Sequence, residues 1–286
     1  MRLVRKVLAL AVMAALAVTP AVCAGEPDGD EGFDWAAAFE GRISPRGLAV
    51  ISVYQPYALA HARECAAAHA FDAHSGGCPS CRQVPAVSRD GAGEPGPLCP
   101  TGTALLAAAD ALAPEAARLA EACDASRREW ERELESVRRR CDDLKSEALN
   151  CESSYQQDPA ARRRADELRV KNGMDAAAYD RILTRYNEAL KRLPFNPDEP
   201  VGEGPDTLTR HELEVRGLDA RLRGGELPVA SAVPKYVSQL TVLIRARELA
   251  AARDAAFAQF YFKLIALCDE VELQESPQPR HQEENP

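Results

Sequence analysis

Residues 101 to 157 constrain this chain most, because one apolar stripe recurs along them at helical spacing. Counting from Ala116, positions 116, 120, 123, 127, 130, 134, 137, 141, 144, 148, 151 and 155 step by four and three in turn. They hold Ala, Ala, Cys, Arg, Trp, Leu, Val, Cys, Leu, Ala, Cys and Tyr, so Arg127 alone breaks the pattern. Such a repeat keeps a narrow seam facing a partner helix over many turns. Cys123, Cys141 and Cys151 lie on that seam. Cys141 and Cys151 are ten residues apart, about 15 Å along a helix, which is far beyond disulfide reach.

Proline, glycine and capping residues mark out the remaining elements. The long helix is expected to start at Pro114 and run to about Gln157. Asp158-Pro159 reads as a stop and a new cap, Asn172-Gly173 as the next stop and Asp175 as the next cap. Residues 194–206 hold four prolines and read as a linker. Thr209 with Glu212 has the spacing of a capping box, and Gly224-Gly225 ends that helix. Ser231 and Pro234 open a final helix to about Leu273. Leu48 to Tyr54 is the one strand candidate, with Pro56 then opening a helix to about Phe71. The expected fold is all-α: an elongated long-helix bundle or hairpin with a small Cys-rich, loop-rich N-terminal region.

The segments follow from these signals. Residues 1–24 read as a signal peptide: Arg2, Arg5 and Lys6 precede an apolar run from Val7 to Val18 that is too short to span a bilayer. Cleavage is expected after Ala24, and lipid attachment at Cys23 is the less favoured alternative. A periplasmic or secreted protein follows, with no transmembrane segment once the signal is removed. Residues 25–32 are an acidic flexible lead-in, 33–102 the small Cys/His-rich region, and 103–193 the long helix with its followers. The C-terminal helices, 207–273, are expected to pack on the long helix, and 274–286 form a polar tail.

Charge argues against nucleic acid as a partner. The net charge of −9 falls to −12 once Arg2, Arg5 and Lys6 are gone. The basic triplets Arg138-Arg139-Arg140 and Arg162-Arg163-Arg164 sit among acids and read as solvated helix faces.

Eight cysteines remain after Cys23: Cys65, Cys78, Cys81, Cys99, Cys123, Cys141, Cys151 and Cys268. An even count in an exported chain favours disulfides, with 105 possible full pairings. An antiparallel arrangement of the two long helices would bring Cys123 to Cys268, the pair proposed here. Cys65, Cys78, Cys81 and Cys99 would staple the N-terminal region, with Cys141 and Cys151 bonded to unassigned partners.

Two other uses of the cysteines compete with this. His61, Cys65 and His69 recur every fourth residue, with His74, Cys78 and Cys81 close behind. Imidazole and thiolate at such spacing can bind a metal, if His61, Cys65 and His69 converge with Cys78 or Cys81. A lone Cys-x-x-C is half of a zinc ribbon. The least favoured use is redox catalysis by Cys78-Pro79-Ser80-Cys81, which lacks a surrounding βαβ pattern.

No phosphate loop, nucleophile elbow or H-E-x-x-H pair occurs, and nothing nominates a catalytic residue or a cofactor. The expected role is therefore a disulfide-stabilised binding or scaffolding module with a protein partner. A metal-handling protein is the alternative, and a thiol–disulfide oxidoreductase the third. The aromatic run Phe257 to Cys268 is expected to be core.

Overall fold

A computed structural model of the chain describes residues 41–82, 98–205 and 207–275. The expected signal peptide and lead-in, and nearly all of the tail, lie outside these residues.

Among the described residues the fold is all-α. Six helices carry it: α1 (Pro45–Gly77), α2 (Pro100–Tyr155), α3 (Pro159–Lys171), α4 (Ala176–Leu190), α5 (Arg210–Arg223) and α6 (Val229–Glu275). A two-stranded antiparallel ribbon, β1 (Pro200–Val201) with β2 (Leu208–Thr209), interrupts the proline-rich linker. The helices divide between two compact units. One comprises the described residues of 43–131 and 194–246, the other those of 132–193 and 247–275.

Local signals account for four of the six helix starts. The Ser44 hydroxyl accepts from Gly47 N–H at 3.0 Å and starts α1. Asp158 and Asp175 cap α3 and α4 through the N–H groups of Ala160 and Ala178. Thr209 and Glu212 form the reciprocal capping box of α5. These caps satisfy backbone donors that a helix start otherwise leaves unpaired.

Three starts differ from expectation. Leu48 to Tyr54 is helical, not a strand, and Pro56 lies inside α1. Pro114 lies inside α2, which begins at Pro100, and Pro234 lies inside α6. An interior proline removes one backbone hydrogen bond at a cost of about 3 kcal/mol, which burial of several side chains can offset. Val50, Ala58, Ala60 and Ala62 of α1 are all buried.

In the first unit, α1 and the start of α2 form an antiparallel hairpin. Arg46 donates to Glu129 at 3.4 Å, and the Cys123 thiol donates to the Val53 carbonyl at 3.3 Å. The sequence numbers thus fall along α2 as they rise along α1, so the end of α1 comes to the start of α2. Helix α5 packs along α1. Their core joins Ala58, Ala62 and Cys65 to Leu218, Leu222, Leu227, Ala232 and Tyr236.

In the second unit, α2 and α6 run parallel. Cys141 shares a cluster with Ala256 and Phe257, Ala148 one with Leu264, and Cys151 packs on the one that holds Cys268. Both helices therefore advance in the same direction. This corrects the antiparallel arrangement on which the Cys123–Cys268 pairing rested. The chain between Tyr155 and Val229 contains three further helices.

The seam itself is where the periodicity placed it. Ala116, Cys123, Trp130, Cys141 and Ala148 are buried, and Ala120, Leu134, Val137, Leu144 and Cys151 half-buried. Arg127 is exposed and pairs with Glu131 at 2.8 Å. In the aromatic run, Phe257, Leu264 and Cys268 are buried, whereas Phe262 points outward at 62% exposure. The basic triplets are exposed, with Arg138 and Arg139 paired to Glu135 and Arg164 to Glu167.

Candidate metal centre

The hairpin closes on four residues with metal-binding side chains. Cys78 ends α1 and donates its N–H to the His74 carbonyl at 3.0 Å. Its own carbonyl then accepts from Cys81 N–H at 3.1 Å and Arg82 N–H at 2.9 Å, which curls Cys78-Pro79-Ser80-Cys81 into a tight turn. Arg82 reaches back to the Gly76 carbonyl at 2.6 Å. The turn therefore aims both thiols to the side on which His74 projects from the last turn of α1.

Cys99 arrives from the other strand of the hairpin. It stands just before Pro100, and its carbonyl accepts the first backbone hydrogen bond of α2, from Thr103 N–H at 2.9 Å. Its sulfur accepts from Gly102 N–H at 3.3 Å. A helix N-terminus favours negative charge, and N–H donors of this kind stabilise a metal-bound thiolate.

The four ligand atoms of His74, Cys78, Cys81 and Cys99 lie within 4.8 Å of one another. His74 Nε2 is 3.1 Å from Cys99 Sγ, and Cys81 Sγ is 3.6 Å from Cys99 Sγ. Zinc bonded tetrahedrally to sulfur at about 2.3 Å sets its sulfurs about 3.8 Å apart. A disulfide needs about 2.05 Å. The observed spacing therefore suits a shared cation, not a covalent bond. Cys81 is fully buried, and the other three are half-buried. A Cβ at Gly102 would come within 2.6 Å of Cys81 Sγ, so a glycine is needed where α2 meets the turn. The backbone N–H of Cys81 holds the Cys78 thiol below its ordinary pKa.

None of the eight described cysteines is joined in a disulfide. The expected staples among Cys65, Cys78, Cys81 and Cys99, and the bonds expected of Cys141 and Cys151, are not formed. Cys123 and Cys268 are not bonded either. Cys123 faces the Val53 carbonyl, and Cys268 is buried among Ala161, Leu168 and Val271. Burial pushes the Cys141 thiol up to about 11 and raises Cys123 as well, as inert core thiols require.

The structure divides the expected His/Cys ligand group in two. His74, Cys78 and Cys81 come together, joined by Cys99. His61, Cys65 and His69 do not join them, because their face of α1 meets α5. His61 Nε2 is 3.0 Å from Asp219 Oδ1, and Tyr236 OH donates to the same oxygen. His69 Nδ1 donates to the Arg223 carbonyl at the end of α5, at 2.7 Å. The hydrogen bond to Asp219 raises His61 to about 10. Burial pushes the Asp219 carboxyl up, but the bonds from His61 and Tyr236 outweigh it and hold the group below its ordinary value. Cys65 is buried, and its sulfur is 3.8 Å from His61 Nε2, the nitrogen that also faces Asp219. A thiol–imidazole–carboxylate relay uses both ring nitrogens, so this group is not one.

Cys99 is the member of this candidate site that the sequence hid. It has no second cysteine at short spacing, and seventeen residues separate it from Cys81. The available signal was a cysteine immediately before Pro100 at the head of a helical run.

Comparison with protein-family models, with curated proteins and with solved structures found no match for this chain.

Proposed function

We propose that the chain is a zinc-binding helical protein whose Cys3His centre clamps the closed end of the α1–α2 hairpin. The convergence of His74, Cys78, Cys81 and Cys99 within 4.8 Å supports this reading above all. Three thiolates and one imidazole suit a tetrahedral, borderline-soft cation, and zinc is the common occupant of such a set. Four protein ligands leave no open position for a substrate or an activated water. The role is therefore to hold the fold, not to catalyse. Elemental analysis of the reduced full chain tests it. One zinc per chain is expected, falling to well below one in a Cys81→Ser, Cys99→Ser double variant. A metal-free chain after purification with zinc present would overturn the reading.

A second reading concerns what the held fold is for. The basic start and apolar run of residues 2–18, with the long α2 and α6, favour an exported scaffold or binding module with a protein partner. Fractionation of cells producing the full chain tests the export, with a processed N-terminus outside the cytoplasm as the expected result.

A further inference from the structure

We propose that the zinc centre is a redox-exchangeable clasp, in which oxidation joins Cys81 to Cys99 and releases the metal. The proposal rests on the zinc reading above and adds its regulation.

Geometry selects the pair. Cys81 Sγ and Cys99 Sγ stand 3.6 Å apart, so closing to a disulfide needs a shift of about 1.5 Å. Cys81 belongs to the turn after α1, and Cys99 stands at the head of α2. A bond between them therefore connects the same two segments that the zinc connects. Cys81 is fully buried and packs against Gly102, whereas Cys99, like Cys78, is half-buried, so burial orders the Cys81–Cys99 pair. Of this pair, an oxidant from solution therefore meets Cys99 first, and Cys81 is reached through it.

The oxidant is a low-molecular-weight disulfide. The Cys99 thiolate attacks one of its sulfurs, forms a mixed disulfide and expels one small thiolate. Cys81 then attacks Cys99 Sγ, closes the protein disulfide and expels the second small thiolate. Two protein thiolates are oxidised and one small disulfide is reduced to two thiols. Zinc loses two of its four ligands, and His74 with Cys78 alone cannot retain it. The hairpin stays clamped in both states: by the metal where thiols are kept reduced, and by the disulfide where they are not. The two expectations for these cysteines, metal ligands and disulfide partners, thus become alternative states of one site.

The test exposes the zinc-loaded, reduced full chain to oxidised glutathione. A chromogenic chelator follows released zinc, and non-reducing peptide mapping locates the bond. The expected result is one zinc released per chain as one Cys81–Cys99 bond forms. Adding a thiol reductant and zinc should restore the starting state. Metal content before oxidation separates the two ideas. A reduced chain without zinc overturns the zinc reading and the exchange with it. A zinc-loaded chain that keeps its metal, or that joins Cys78 to Cys81 instead, overturns the exchange alone.

Discussion

His61 and Asp219 stand 3.0 Å apart and tie α1 to α5, with Tyr236 of α6 donating to the same carboxylate oxygen. Three helices of the first unit therefore meet on one half-buried carboxylate oxygen at the edge of an apolar cluster. Tyr57 stacks on the His61 ring at 5.7 Å, and Tyr236 meets its edge at 5.8 Å. These rings restrict water around the pair.

Breaking this pair should destabilise the first unit. His61→Ala leaves a partly buried carboxylate without its cation, which costs on the order of 1–3 kcal/mol. The pH dependence has a definite sign. His61 rises from 6.5 to about 10 on folding, so its contribution is complete below about pH 6.5 and is lost as pH climbs through about 10. Asp219 falls below its ordinary 3.8, so its contribution is complete above that pH and is lost as pH drops through the lowered value. Urea unfolding at pH 6 and pH 9.5 should show a loss of stability that shrinks in His61→Ala. An equal loss in both proteins would place the pH sensitivity elsewhere.

Trp130 is 2% exposed on the seam of α2. Truncation to Ala should cost about 3–5 kcal/mol, the usual range for a large buried aromatic. Chemical denaturation measures it, and a loss under about 1 kcal/mol would mean that the ring contributes little to the packing.

Much of the fold was legible because it rests on local chemistry. The caps at Asp158, Asp175 and Thr209 and the seam through Trp130, Cys141 and Ala148 need only spacing and residue type. What stayed hidden depends on tertiary contacts. A stripe does not encode the direction of its partner, so the parallel course of α2 and α6 could not be read from it. Pro56 and Pro114 look like helix starts because proline suits a first turn, yet burial elsewhere on α1 and α2 outweighs their cost and the helices run through them. The candidate site was half legible. His74, Cys78 and Cys81 lie close in sequence, whereas Cys99 joins them only because α1 and α2 are antiparallel. His61, Cys65 and His69 share the spacing of ligands, but α5 occupies their face of α1.

Gly102 should matter to the metal site although it offers no ligand. A methyl group there would stand 2.6 Å from Cys81 Sγ and displace it or the start of α2. Gly102→Ala is expected to weaken zinc binding by about 10-fold or more, as for other residues that support metal ligands. Competition with a chromogenic chelator checks this, and unchanged affinity would mean that the turn absorbs the methyl group.

The capping box offers a control remote from the metal. Thr209→Ala removes the acceptor for Glu212 N–H, at 3.3 Å, and should cost about 1 kcal/mol. Zinc content should stay at the wild-type level while the denaturation midpoint falls. A loss of zinc in this variant would couple α5 to the metal site more strongly than the contacts suggest.

X-ray absorption at the zinc edge, on the reduced full chain, tests the Cys3His centre most directly. The spectrum should fit three sulfurs at about 2.3 Å and one nitrogen at about 2.0–2.1 Å. A shell of oxygen and nitrogen alone, or one holding a single sulfur, would contradict the assignment of Cys78, Cys81 and Cys99 to the metal.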